Sequence, residues 1–177
     1  MSAPQADAPA RYPMAPLIRF TLIALYIALV APLPWLAPQE LKVALWLALP
    51  LGLALVLAAT SEAVELDAEG IRVGHPNWCS WLLRRGWSLP WRSIRGLTPV
   101  ATSQGGRVFY VRSEDGSAFL LPQRVAAFEG FLGRFSRETG LDTSAIGRIS
   151  PPWTYQLLAG LSGAMVLGEL AWGLAQR

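Results

Sequence analysis

The chain has 177 residues, 53% of them hydrophobic and only 15% charged, where an ordinary soluble domain carries about 25% charged residues. That balance excludes a wholly water-soluble protein and leaves room for membrane segments plus one small domain. A net charge of +3, from 14 arginines and one lysine against 12 acidic residues, is too small a surplus to require nucleic acid, and the single cysteine, Cys79, excludes an internal disulfide and a Cys-rich metal site.

Residues 1–15, rich in proline and alanine, read as a disordered tail. Between Arg19 and Glu40 lie 20 residues without a charge, and after Lys42 a second uncharged run reaches Glu62. Each is long enough to cross a hydrocarbon core of about 30 Å as a helix. Only the proline-rich turn around Trp35 separates them, so residues 16–60 are expected to form a transmembrane hairpin, with Pro50 removing one backbone hydrogen bond from the second helix.

The segment 61–150 is patterned as short strands. AVELD, the turn AEG and IRVGH alternate apolar and polar positions. RVFYVRS and SAFLLP flank the acidic turn of Glu114, Asp115 and Gly116, and SQGG at 103–106 is a further turn in which consecutive Gly amides offer an alternative anion cradle. Asp67 and Glu69 also fall at a turn. From Arg124 to Thr139 the period lengthens, placing Val125, Phe128, Phe131, Leu132 and Phe135 on one helical face with Arg124, Arg134 and Arg137 elsewhere, and Gly140 ends the helix.

Residues 77–91, NWCSWLLRRGWSLPW, hold four of the chain's eight tryptophans. Trp87, Leu89 and Trp91 alternate with Ser88 and Pro90, so they share one face of an extended core strand. Trp78, Trp81, Leu82 and Leu83 do not continue that register and precede Arg84 and Arg85. Aromatic side chains beside cations suit a membrane surface or a partner, so these six residues are the candidate interface.

A third apolar run follows Arg148, and residues 151–175 are expected to form the third transmembrane helix, with Trp153, Tyr155 and Trp172 at the two interfaces. Gly160, Ala164 and Gly168 recur every four residues, and small residues at that spacing admit a second helix closely, from the hairpin or from a partner. Glu169 on the same helix is a solvated interfacial carboxylate or a polar hook for another membrane subunit. The segment between the second and third helices carries eleven arginines and the tail Arg11 and Arg19. Cationic residues stay on the cytoplasmic side, so the tail and the insert are expected there, or in the stroma of a plastid.

The order ELDAEGIRV, SLPWRSIRGL, GGRVFYVRSEDGSAFLLP and then a helix resembles bacterial pleckstrin-homology-like domains. That resemblance implies an α+β insert of six or seven antiparallel strands capped by one amphipathic helix, hung from membrane helices. RRGWSLPW, SQGGRVFY, FLLPQRVAAF, TGLDTSAI and PPWTY, in that order, resemble a family of small membrane proteins of cyanobacteria and plastids. This likeness implies the thylakoid membrane, where helper proteins of this size bind photosystem subunits during assembly or repair.

No GxSxG elbow, phosphate-binding Gly-rich run or HExxH occurs, and the only histidine, His75, precedes a proline in a loop, so neither catalysis nor a cofactor or metal is expected. The expected function is an integral-membrane scaffold or assembly factor. The alternatives are a lipid-sensing module, with Arg84, Arg85, Arg92 and Arg95 meeting anionic headgroups, and a permanent subunit of a membrane complex.

Overall fold

The computed structural model describes residues 8–148, apart from Arg84 and Gln104, and residues 152–175. In chain order the elements are β1 (Ala10–Pro13), α1 (Pro16–Val30), α2 (Leu33–Leu36), α3 (Gln39–Ala59), β2 (Ala63–Leu66), β3 (Gly70–Gly74), β4 (Trp87–Pro90), β5 (Ile94–Ala101), β6 (Arg107–Ser113), β7 (Ala118–Leu120), α4 (Phe128–Thr139) and α5 (Pro152–Ala175). They form two compact units, one of the apolar helices and one joining the residues before Pro16 to residues 61–150.

Three stretches of the first unit are helical, long and apolar enough to cross a membrane: Pro16–Leu36, Gln39–Ala59 and Trp153–Ala175, with mean hydropathies of 2.0, 2.2 and 1.5. Only a helix satisfies every backbone group of such a segment without water. α1 packs against both α3 and α5, and α2 folds back on α3 with Trp35 and Trp46 edge to face at 4.7 Å. Polar contacts tie the bundle together. The Tyr26 hydroxyl donates to the Leu49 carbonyl beside Pro50 at 2.7 Å, and the Thr21 hydroxyl donates to Leu17 and lies 3.3 Å from the Tyr155 carbonyl on α5.

The second unit is α+β: a four-stranded antiparallel sheet in the order β1-β2-β3-β4 and a three-stranded one in the order β5-β6-β7, followed by α4. The alternation read from the sequence decides which side is buried. Val64 and Leu66 on β2, Ile71 and Val73 on β3, and Val111 on β6 face a core filled by Phe128, Phe131 and Phe135 of α4, while Glu65 and Arg72 look outward. Trp87 and Trp91 pack on this core as expected, stacking on Phe119 at 5.1 Å and meeting Phe135 edge-on at 6.0 Å.

Three expectations need correction. Residues 8–15 do not hang free: Ala10–Pro13 pair with Leu66–Ala63, Tyr12 packs on Phe131 at 5.6 Å, and the first sheet gains its edge strand from the segment ahead of α1. The amphipathic helix starts at Phe128 rather than Arg124, because that segment's backbone pairs with the same strand. Arg124 accepts from Ala15 at 2.8 Å, Ala126 donates to Pro13 at 2.7 Å, and Ala127 turns through φ 47° before the helix begins. Arg134, expected on the polar face, is only 7% exposed and donates to the Ala8 carbonyl at 2.7 Å. Gly140 ends the helix with φ 69°, as its position predicts.

Candidate functional site

The segment after β3 folds into successive turns. Cys79 and Ser80 donate their amides to the Pro76 carbonyl, and Leu82 and Leu83 donate theirs to Cys79. The Trp81 indole N–H donates to the Trp78 carbonyl at 3.0 Å, which fixes one ring against the other residue's backbone. Cys79 points inward, 2% exposed, with its sulfur 3.3 Å from the Ser61 hydroxyl. Its neighbours point the other way: Trp78 is 57% exposed, Trp81 79% and Leu82 52%. Leu83 is half-buried and Arg85 exposed, while Arg84 lies outside the described residues. The turn is thus a small platform pinned by a buried residue at its centre, presenting large apolar side chains to the outside.

The register of the first sheet says which end of the domain this is. Ala63 pairs with Gly74 and Leu66 with Ile71, so the turn leaves the end of the β2–β3 hairpin at which α3 enters. The opposite end carries the Asp67–Gly70 turn, roughly 13 Å further along the strands. Arg92 and Arg95, considered above as lipid-facing, belong to that far end. Trp91 donates its amide to Glu69 and its indole N–H to Asp67, and the exposed Arg95 is already paired with Glu114.

The acidic turns are structural. Asp67 accepts the amides of Gly70 at 2.8 Å and Glu69 at 2.9 Å, and these bonds hold its carboxyl below the usual range. Asp115 is lowered likewise, by the Ser117 hydroxyl first and its amide second, and Asp142 by the amide and hydroxyl of Ser144. In the SQGG segment the Gly105 and Gly106 amides are both taken within the turn, by Thr102, which favours the turn over an anion cradle. His75 is half-buried and its Nδ1 finds no partner. Among the described residues no group of three His, Cys, Asp or Glu side chains could hold a metal ion. An open cavity of about 280 Å³ lies beside Met14, Glu62, Gln123 and Arg124.

On α5 the strip of Gly160, Ala164 and Gly168 does not make the contact within the bundle, while the small residues beside it, Ala159 and Gly163, are half-buried. Gly160, Ala164 and Gly168 are exposed, whereas Ser162 is buried and Tyr155, Val166 and Glu169 are half-buried on the neighbouring side. The reason is geometric: α5 presents Tyr155 to Thr21 of α1, and residues four apart starting from Gly160 lie on a different strip of the helix.

Sequence reasoning missed Arg124 and Arg148 as surface candidates. Both are exposed, and Arg148 sits with its guanidinium 5.8 Å from the Phe128 ring centre, a few residues before α5. For Arg148 the available signal was position, just ahead of the third apolar run; Arg124 carried none, because its link to the segment before α1 is a backbone bond from Ala15.

An uncharacterized protein of Synechocystis sp. (strain ATCC 27184 / PCC 6803 / Kazusa), slr0269, is 39% identical to this chain over 168 residues, which is 92% of this chain and 81% of the relative. No family model matches, and no solved structure matches significantly.

Proposed function

The chain belongs to the family of the Synechocystis protein slr0269, and on that premise we propose that it is an integral-membrane scaffold or assembly factor that binds another membrane protein complex. The observation that carries this reading is the face of α5 bearing Gly160, Ala164 and Gly168. The chain's own helices leave it uncovered although its small side chains suit close approach of a helix. In lipid, tight packing of backbones is a main source of helix association, so such a strip fits a partner helix better than it fits acyl chains. Glu169, half-buried, lies on the neighbouring side of the helix rather than on this strip, as a polar group near the membrane edge.

The domain is read as pleckstrin-homology-like. A four-stranded and a three-stranded antiparallel sheet closed by a carboxyl-terminal helix support that identity. Its arginines support the cytoplasmic or stromal side for it under the positive-inside rule. The relative is cyanobacterial, and the reading takes the thylakoid as the membrane and photosystem subunits as the partner class. The reading is one of binding rather than catalysis, and the sequence carries none of the GxSxG, phosphate-binding Gly-rich or HExxH motifs.

The test is purification of the tagged chain from native membranes in mild detergent. Co-purification with one defined membrane complex supports the reading, and recovery of the chain alone in several detergents and growth states contradicts it. Pulse labelling then separates an assembly factor, which leaves the mature complex, from a permanent subunit, which stays. The alternative, a lipid-sensing module, is favoured by the exposed Trp78 and Trp81 beside Arg85. It predicts binding that tracks anionic lipid instead of a protein partner.

A further inference from the structure

We propose that the turn carrying Trp78, Trp81 and Leu82 is an interfacial anchor, seating the domain on the lipid headgroups of the bilayer that the chain's own helices cross. The inference does not depend on which complex the protein binds.

Chain continuity identifies the surface. Ser61 follows the last residue of α3 by two positions, and two extended residues reach at most about 7 Å. The Cys79 sulfur lies 3.3 Å from the Ser61 hydroxyl, so the centre of the turn is held beside the point where the chain leaves a membrane-spanning helix. The headgroup region on each side of a bilayer is roughly 5–8 Å thick. A side chain as long as Trp, projecting outward from that point, has this zone within reach.

Two further junctions mark the same surface. Ala15, immediately ahead of α1, donates its amide to the Arg124 carbonyl, and Arg148 stands four positions before the first residue of α5. Arg85, Arg124 and Arg148 are all exposed. The composition of the surface is therefore aromatic and aliphatic at one junction and cationic near all three, which matches the ring-and-phosphate chemistry of an interface. The opposite end of the β2–β3 hairpin carries Asp67 and Glu69 instead, and no large apolar side chain stands exposed in that turn.

Rigidity argues for the bilayer as well. Backbone bonds from Pro76 to Leu83 and the Trp81 indole bond hold the exposed rings in place, so little ordering is required on insertion. Indole rings with one polar edge are the side chains that settle at headgroup depth.

The experiment uses the full chain reconstituted in phosphatidylcholine vesicles, with and without phosphatidylglycerol, containing lipid spin-labelled near the headgroup. An environment-sensitive fluorophore is attached at S80C, between the two rings, or at A68C in the far turn. Both positions are exposed, and the native Cys79 is buried and spared. Reconstitution itself reports whether the helices enter the bilayer, separately from the outcome at the probes. The expected result is fluorescence at position 80 quenched about two-fold or more while position 68 stays bright, consistent with side chains lying about 5–10 Å into the boundary. In W78A/W81A the quenching at position 80 should fall to the level at position 68. Equal brightness at the two positions in the parent chain would overturn the anchor, as would quenching at position 80 that survives loss of both rings.

Discussion

The Met14 amide donates to the Glu62 carbonyl at 3.2 Å, although α1, α2 and α3 lie between them in the chain. Pro13 pairs with Ala63 in the same ladder, so both ends of the hairpin finish in one sheet. If α1 and α3 span a bilayer they must do so an even number of times. Cysteines introduced at Ala8 and Ala68, both exposed, should therefore react with a membrane-impermeant reagent from the same side. A tag after Arg177, beyond the third helix, should be reached only from the other. Reaction of positions 8 and 68 from opposite sides would contradict the β1–β2 pairing.

β1 closes the core through Tyr12, whose ring meets Phe131, a residue with no exposed surface. Phe131→Ala should destabilise the domain by about 3–5 kcal/mol, the usual cost of an emptied aromatic site. Tyr12→Ala should cost less, and the double variant less than the sum, because the two rings share one contact. Thermal unfolding of the full chain in detergent, followed by near-ultraviolet circular dichroism, reads all three. Strict additivity would mean that the strand does not rest on α4.

Gly70 and Gly133 separate close approach from empty space. A Cβ at Gly70 would lie 2.2 Å from the Leu89 carbonyl oxygen and 2.8 Å from the Pro90 Cα, both backbone atoms that cannot move without parting β3 from β4. Gly133, exposed within α4, has nothing within 4 Å. Gly70→Ala should therefore lower the unfolding midpoint strongly, and Gly133→Ala should raise stability by about 0.5–1 kcal/mol through helix propensity. The same shift for both would contradict the register of β3 and β4.

Acid should loosen the Asp67–Gly70 turn. The Asp67 carboxylate is stabilised by the Gly70 and Glu69 amides, so its folded pKa is below the ordinary value of 3.8. The stabilisation is complete above that value and is lost as pH falls through the lower folded pKa. Asp67→Asn should unfold earlier than the parent at neutral pH, and the gap should narrow below the ordinary carboxylate range. A gap that stays constant in acid would mean that the charge contributes nothing.

The hairpin, the third helix and the buried faces of β2, β3 and β6 were legible because one period or one composition determines each of them. β1 was not. ARYP is four residues among prolines, and what makes it a strand is a partner some fifty positions away with Tyr12 against Phe131. The late start of α4 and the burial of Arg134 have that same remote cause, since both serve the strand that periodicity could not show. At the candidate interface the sequence correctly divided the tryptophans into a core set and an exposed set, because alternation stops at Gly86. It could not place the exposed set, since the contact that does so joins Cys79 to Ser61 across eighteen positions. On α5 the small residues were visible, but only the packed bundle shows that the strip faces away from the chain's own helices.

A photo-crosslinking residue at Ala164, on that strip, compared with one at the buried Ser162, tests the partner-binding claim most directly. Illumination of native membranes should give, at position 164, one defined adduct with a different integral membrane protein, and at position 162 adducts confined to this chain. Adducts at 164 with lipid or with a second copy alone would contradict the claim.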